Sequence, residues 1–484
     1  MDSLNIWTIT LISVISLARI GMGVFTSISG PTLLYLADNV GASVSKISTL
    51  FSGRSIGILF GSILGGVVKN LVGPNFRHLL MLGAGIGILG LVDLAVPWIS
   101  QFWVLIIDIT LGGIMFGYLD AGLQALILQL WGEKASRAQI QLFHFMYSVG
   151  AFIAPLMASP FLAMADEETS ADASCPNQIS MTTTAAYPHS NLSTTAITPA
   201  AFNPVGWAYV IAACWMVFVS ILLVVLAILN VESRVASSIE DKGFASEDRG
   251  EEPIKDVIWL FLLVVGYYFC SVSTENVFFS YIYSVSLCSD LNFTVEQASQ
   301  INSVFWLGLG LGRLSGVLAA NFLKPRTIII ASIIGSIIDM IFMCIFGEHT
   351  AWLAWLVSAL HGYTTAMLYP SGVSWVSQIT NISGTYMFVC NIGNAVGSLT
   401  MLPLGGYLFD IDPFSVMYLV LILAVVNAFF YAALLYVGKR HKEFLRNKQI
   451  DVSTERPEKD SDYMEDCKTE NSSISHGTSA MTKL

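Results

Sequence analysis

The 484 residues are 54% hydrophobic and only 12% charged, against roughly 25% charged in ordinary soluble domains. That balance excludes a soluble chain, which would lack the charged surface to stay dispersed. The formal net charge of -11 excludes nucleic-acid binding, which needs a basic stripe.

A membrane-crossing helix needs about 20 mainly apolar residues. In chain order the apolar runs predict spans over 8–36, 46–69, 78–98, 102–130, 138–164 and 206–230. A second set covers 256–285, 297–322, 326–347, 351–379, 384–409 and 414–438. The first run contains Arg19, lacks a basic n-region and is too long for a signal peptide, so it reads as a retained helix. Runs without alternation argue against barrel strands.

Two polar segments, 165–205 and 231–255, punctuate the string. Cutting at the second gives a first bundle over 1–230, with an outside loop at 165–205, a linker over 231–255 and a second bundle over 256–438. A polar tail over 439–484 has the composition of a disordered segment. Of 23 lysines and arginines, 19 fall in the loops after spans 2, 4, 6 and 8 and in the tail. The positive-inside rule then puts both termini in the cytoplasm. The sequons at Asn191 and Asn292 fall outside and are glycosylation candidates, whereas Asn381 and Asn471 fall inside. The seven cysteines show no CxxC or His-Cys spacing, hence no zinc or redox motif. Cys175 and Cys288 lie in polar loops, as a disulfide if those loops face outside, or else as two free thiols.

The halves repeat. Phe25-Thr26-Ser27-Ile28-Ser29 in span 1 matches Phe269-Cys270-Ser271-Val272-Ser273 in span 7, and Ser45, Ile47 and Phe51 match Ser299, Ile301 and Phe305. Gly150 over Gly397 places His144 on Asn391 and Tyr147 on Asn394. Such duplication marks transporters whose halves rock around a midplane site. The expected fold is therefore an all-α membrane protein of twelve helices in two pseudo-repeated six-helix bundles.

Ionisable groups at bilayer depth are costly and serve a pathway or a pairing. Arg19, Arg54 and Arg313 face Asp120, Glu275 and Asp339 as a balanced set inside the spans. Glu275, among Ser273, Thr274 and Asn276, reads as an ion-coupling acid or as a static partner of an arginine. Asp120, with Gln124 one turn on, reads as an ion or sugar contact or as a partner of Arg54 or Arg19. Asp339 reads as structural, and Asp93 and Asp108, nearer the outer ends, read as able to reach water. Arg54 and Arg313 sit beside glycines and read as helix locks. Gln124, His144, Tyr147, Asn276, Tyr369, Trp375, Asn391 and Asn394 supply amide, hydroxyl and aromatic groups that suit an uncharged hydroxylated solute, or else bond helix to helix. No GxxxxGK[ST] loop, HExxH or GxSxG is present, so neither an ATP-driven pump nor a membrane enzyme is expected.

The twelve spans, central loop and duplicated sixes resemble the major facilitator superfamily. The loop between spans 2 and 3 reads Gly65 through Gly73, with Lys69 where that family carries an acid. Further motifs resemble its sodium-dependent glucose transporter branch. They are Gly21-Met22-Gly23-Val24, Gly30-Pro31-Thr32, Gly53-Arg54-Ser55-Ile56-Gly57, Leu119-Asp120-Ala121-Gly122, Phe143-His144-Phe145, Gly150 through Pro155, and Tyr369-Pro370-Ser371-Gly372. The family often has asparagine where Gln124 stands. The resemblance implies hexose uptake across the plasma membrane with Na+ as coupling ion. No cofactor is expected, and the partners are a small solute and the lipid bilayer around a monomer. The alternatives are a uniporter or proton-coupled carrier of another neutral solute, or a non-transporting receptor or scaffold.

Overall fold

In a bilayer every backbone polar group must be paired within the segment, so long apolar runs become helices. The structure, a computed structural model, describes residues 6–72, 78–135, 137–168, 175, 203–231, 233–235, 254–319, 322–376 and 384–441. In chain order the helices are α1 (Ile6–Ser27), α2 (Leu33–Asn39), α3 (Val44–Ile47), α4 (Thr49–Val72), α5 (His78–Ala95), α6 (Phe102–Ala135), α7 (Arg137–Glu168) and α8 (Gly206–Ile228). The second half has α9 (Ile254–Cys288), α10 (Val295–Ala319), α11 (Pro325–Phe346), α12 (Ala351–Thr365), α13 (Leu368–Val376), α14 (Gly384–Ile411) and α15 (Ser415–His441). Among the described residues there is no strand, and nine stretches are long and apolar enough to cross a membrane. Most of the 165–205 loop, of the linker and of the tail lies outside the described residues.

Span 2 is interrupted at Ser48, and spans 1 and 10 are broken ahead of or at a proline. Span 1 ends as a helix at Ser27 and resumes at Leu33. Pro31 has no N–H to donate and its ring crowds the preceding turn, and the Thr32 hydroxyl pins the break by donating to the Ile28 carbonyl and pairing with the Tyr209 hydroxyl at 2.6 Å. Gly30 lets this turn press on the second half: a Cβ there would lie 3.0 Å from the Phe279 carbonyl oxygen. Span 10 breaks at Ala366–Met367, because Pro370 can neither donate to the Ala366 carbonyl nor clear it.

α1 packs on α7 as α9 packs on α14, and α4 packs on α6 as α10 packs on α12. Each half thus repeats one arrangement. The α4–α6 contact follows from glycines at every fourth position, Gly53, Gly57, Gly61 and Gly65, which bring one backbone against the other. Gly308, Gly312 and Gly316 do the same for α10 on α12 and the turn that follows it. Close backbone approach of this kind drives helix association where lipid removes the hydrophobic incentive.

The halves meet through α7 on α10 and through α3 and α4 on α14. At the end carrying Cys175 and Cys288 a single apolar core runs through both halves, from Ile28 and Phe51 to Tyr281 and Phe409. Toward the opposite end the cores separate, one around Leu82, Leu119 and Phe143, the other around Tyr268, Ile333 and Tyr431. The bundle is therefore closed at the disulfide end. Ser45 N–H donates to Asp410 Oδ2 at 2.9 Å and the Ser52 hydroxyl donates to the Leu399 carbonyl at 2.8 Å across that seam.

Cys175 and Cys288 form a disulfide with their Cα atoms 5.5 Å apart, which settles the alternative the sequence leaves open. Asn292, four residues on, is exposed and adopts φ 48° in the tight turn before α10. Its sequon threonine, Thr294, also starts α10: Gln297 N–H donates to the Thr294 hydroxyl and Thr294 N–H to Gln297 Oε1, a reciprocal cap. Asn191, Asn381 and Asn471 lie outside the described residues.

Candidate functional site

Four of the charges inside the spans, Arg19, Asp120, Glu275 and Arg313, gather where the halves face each other. Arg19 of α1 is 4% exposed, and its Nη1 lies 2.6 Å from Asp120 Oδ1 on α6. Its guanidinium stacks 4.1 Å from the Phe143 ring and 4.7 Å from the Tyr147 ring. Aromatic faces stabilise a desolvated cation, so the Arg19 side of the pair is held in a largely apolar setting. The i, i+4 spacing that puts Gln124 beside Asp120 is used: Gln124 Nε2 donates to Asp120 Oδ2 at 3.0 Å.

The second charged pair lies within the second half, and its arginine bridges the seam. Arg313 of α10 lies 3.9 Å from Glu275 of α9, while its Nη1 donates to the His144 carbonyl at 3.0 Å and the Ser148 hydroxyl at 3.2 Å on α7. Tyr147 stands between the two arginines, with Arg313 5.9 Å from its ring and Trp306 edge-on at 5.9 Å. Asp120 and Glu275 keep 30% and 18% of their side chains exposed, so both acids open on the cleft.

Neutral polar groups continue the surface through the second half. Asn276 Nδ2 donates to the Ser398 hydroxyl at 2.7 Å, which in turn reaches Asn394 Oδ1 at 3.5 Å. The Tyr369 hydroxyl donates to Asn391 Oδ1 at 3.4 Å. The expected set is thus brought together in three groups: Gln124 with Asp120, His144 and Tyr147 with Arg313, and Asn276, Asn391, Asn394 and Tyr369 along α9, α13 and α14. Trp375 stands apart. It is buried in the second half's own core, with its ring 5.7 Å from Tyr431, because the break at Ala366–Met367 turns α13 onto that core.

Other expectations change with the geometry. Arg54 does not pair with Asp120. It is buried, donates to the Thr26 carbonyl at 3.2 Å and the Ser29 hydroxyl at 3.0 Å, and so ties α4 to the end of α1. Asp93 does not reach water: it is 1% exposed under the turn at 28–32 and α2. Asp339 accepts from the Thr364 hydroxyl at 2.8 Å, a helix-to-helix bond away from the cleft. Ser148, Trp306 and Ser398 join the site without having been singled out, and of the two arginines expected as partners for Asp120 it is Arg19 that takes the place. For Trp306 and Ser398 no sequence signal separates them from packing residues, whereas Arg19, a charge in an apolar run, does carry one.

The Major Facilitator Superfamily description matches residues 264–459. The chain is 30% identical over 390 residues to the human protein named sodium-dependent glucose transporter 1, covering 79% of this chain and 70% of that one. It is 31% identical to the protein of the same name from Xenopus laevis, over 80% of this chain and 73% of that one. Among solved structures, the inward-open xylose transporter XylE from E. coli shares the fold, with a TM-score of 0.59 and 16% identity over 89% of this chain and 95% of that one.

Proposed function

The chain belongs to the major facilitator superfamily, in the branch of the sodium-dependent glucose transporters, and from that premise we propose that it carries a hexose, glucose first among them, into the cell together with Na+. It is a multi-pass membrane transporter and not an enzyme. The observation that carries the finer reading is the charge balance of the cleft. Arg19 answers Asp120 and Arg313 answers Glu275, which leaves amides, hydroxyls and aromatic rings to meet the solute. Asn276, Asn391, Asn394 and Tyr369 can exchange their mutual hydrogen bonds for bonds to sugar hydroxyls, and the half-buried Tyr147, backed edge-on by the buried Trp306, offers a face for the ring.

Coupling falls to Glu275. Its arginine lies 3.9 Å away, at the limit of an ion pair, and Arg313 is already held by His144 and Ser148 of the other half. A Na+ that takes the Glu275 carboxylate leaves Arg313 wholly to α7, so cation binding acts on the contact between the halves. Rocking about this contact gives alternating access. The basic residues place the disulfide end outside, so the arrangement, closed at that end, faces inward. Both termini then lie in the cytoplasm, with the protein in the plasma membrane. One chain supplies both halves of the cleft, so a monomer suffices.

Uptake of labelled glucose into proteoliposomes, with and without an inward Na+ gradient, tests this. Sodium-driven accumulation is the expected result. Uptake indifferent to Na+ makes the protein a uniporter, accumulation driven by a pH gradient makes it proton-coupled, and no movement of any solute makes it a receptor or scaffold.

A further inference from the structure

α10 runs from the disulfide end to the cleft and carries a polar stripe. Ser299, Trp306 and Arg313 stand seven residues apart, and Asn302 lies one turn before Trp306, so all four share one face. Contacts fix where this face points. A Cβ on Gly30 would lie 3.2 Å from Asn302 Nδ2, Trp306 meets Tyr147 edge-on, and Arg313 holds the His144 carbonyl. Those three neighbours belong to the first half, so the stripe lies on the seam. At 1.5 Å of rise per residue, Trp306 stands about 10 Å and Asn302 about 16 Å from Arg313, toward the disulfide end.

The three outer members are buried with polar atoms left over. The Ser299 hydroxyl, Asn302 Oδ1 and Trp306 Nε1 have no hydrogen-bond partner among the described residues. Asn302 Nδ2 donates to the Phe279 carbonyl at 3.0 Å, which leaves the amide oxygen as a free acceptor, and the indole nitrogen is a donor only. A buried polar group without a partner is costly. Trp306 belongs to the core that both halves share, and that core parts when the disulfide end opens, so these atoms meet partners in the other half of the cycle. An acceptor and a donor one turn apart match a molecule with neighbouring hydroxyls, one donating and the next accepting. None of the three side chains is charged, so the fitting guest is neutral.

We propose that Asn302 and Trp306 form an outer solute site, apart from the cleft, which takes a neutral polyhydroxylated molecule of hexose size while the disulfide end is open. One solute hydroxyl donates to Asn302 Oδ1, and Trp306 N–H donates to another hydroxyl oxygen. Closure of Gly30 onto Phe279 then removes the room and passes the solute along the stripe to the cleft at Arg313 and Glu275. The proposal rests on the hexose reading above and adds the place where the solute is first held.

The test uses the full-length protein in cells, with the free cysteines replaced by serine, the Cys175–Cys288 bond kept and Asn302→Cys introduced. A membrane-impermeant methanethiosulfonate added outside reports access to the new thiol, and glucose at rising concentration reports occupation. The thiol should be labelled from outside and protected by glucose. Adding Trp306→Phe should raise the half-protecting glucose concentration about fivefold, as the loss of one neutral hydrogen bond implies. Ser52→Cys is the control, since the Ser52 hydroxyl meets the Leu399 carbonyl across the same end of the seam. Equal protection of Ser52→Cys and Asn302→Cys marks closure rather than occupation and overturns the site. So does a thiol that is labelled but never protected, a thiol that the reagent never reaches, or a half-protecting concentration that Trp306→Phe leaves unchanged. In each of these cases glucose uptake by the cysteine-replaced parent keeps the hexose reading standing, whereas no uptake by that parent overturns both. If Asn302→Cys fails to reach the surface, Ser299→Cys, which exchanges one oxygen for sulfur, takes its place with the same outcomes.

Discussion

Arg313 Nη1 on α10 donates to the main-chain carbonyl of His144 on α7 at 3.0 Å, so a side chain of one half grips the backbone of the other. The same guanidinium reaches Ser148 and faces Glu275. Lysine keeps the charge but lacks the fork. Arg313→Lys should cut uptake per surface copy roughly ten- to a hundredfold, from a loss of about 1.5–3 kcal/mol in a charged hydrogen bond. An undiminished rate at normal expression would show the contact to be incidental.

Arg54→Ala should lower folded yield more than it changes KM. The arginine is buried and its two bonds hold α4 to α1, so about 3 kcal/mol of stability should go with them. Size-exclusion profiles of the detergent-extracted variant, set beside its KM, separate the outcomes. A well-folded variant with weak substrate binding reverses the assignment.

Glu275→Gln keeps shape and removes charge. Surface expression and substrate exchange should stay near the parent's, while most Na+-stimulated accumulation is lost. A variant that still concentrates solute with unchanged ion dependence makes Glu275 a structural acid and moves attention to Asp120.

Two aromatic substitutions should diverge. Tyr369→Phe removes the hydroxyl that meets Asn391 and should raise KM about fivefold, from a loss of ~1 kcal/mol. Trp375→Phe trims a core side chain behind the cleft and should leave KM within about twofold while lowering thermal stability by ~1 kcal/mol or more. Equal effects on KM would return Trp375 to the site.

Glycosidase treatment reads the topology. Asn191 should carry a glycan, and Asn381 and Asn471 should not. Asn292 is exposed at the same end as the disulfide and is the second acceptor. Unchanged gel mobility of both Asn191→Gln and Asn292→Gln in glycosylating cells would overturn the outside placement.

The helices are legible in the sequence because hydrophobic length is a local property. So are the glycines flanking Arg54, written within one turn on either side of it and used in the α4–α6 contact. Pairings between distant spans are not local. Asp120 has two arginines within plausible reach, and only the fold shows Arg19 taking it while Arg54 turns to Thr26 and Ser29. Asp93 sits near a span end, where a carboxylate normally meets water. Its burial depends on Pro31 bending the chain so that the turn before α2 covers it, and hydropathy carries no trace of that cover. Trp375 is misread for the same reason, since the bend ahead of Pro370 sets which way α13 faces.

The Cys175–Cys288 bond joins residues that belong to different halves. Cys288 is the last residue of α9, and Cys175 follows the end of α7 at Glu168 by seven positions. Seven residues of extended chain reach about 25 Å at most. The two helix ends are thus leashed: the mouth at the disulfide end has a mechanical stop, set by chain length rather than by any contact that breaks and reforms. Cutting the leash with a reductant frees the amplitude of that opening without touching the cleft, and shortening it by deletion between Glu168 and Cys175 would narrow the mouth residue by residue.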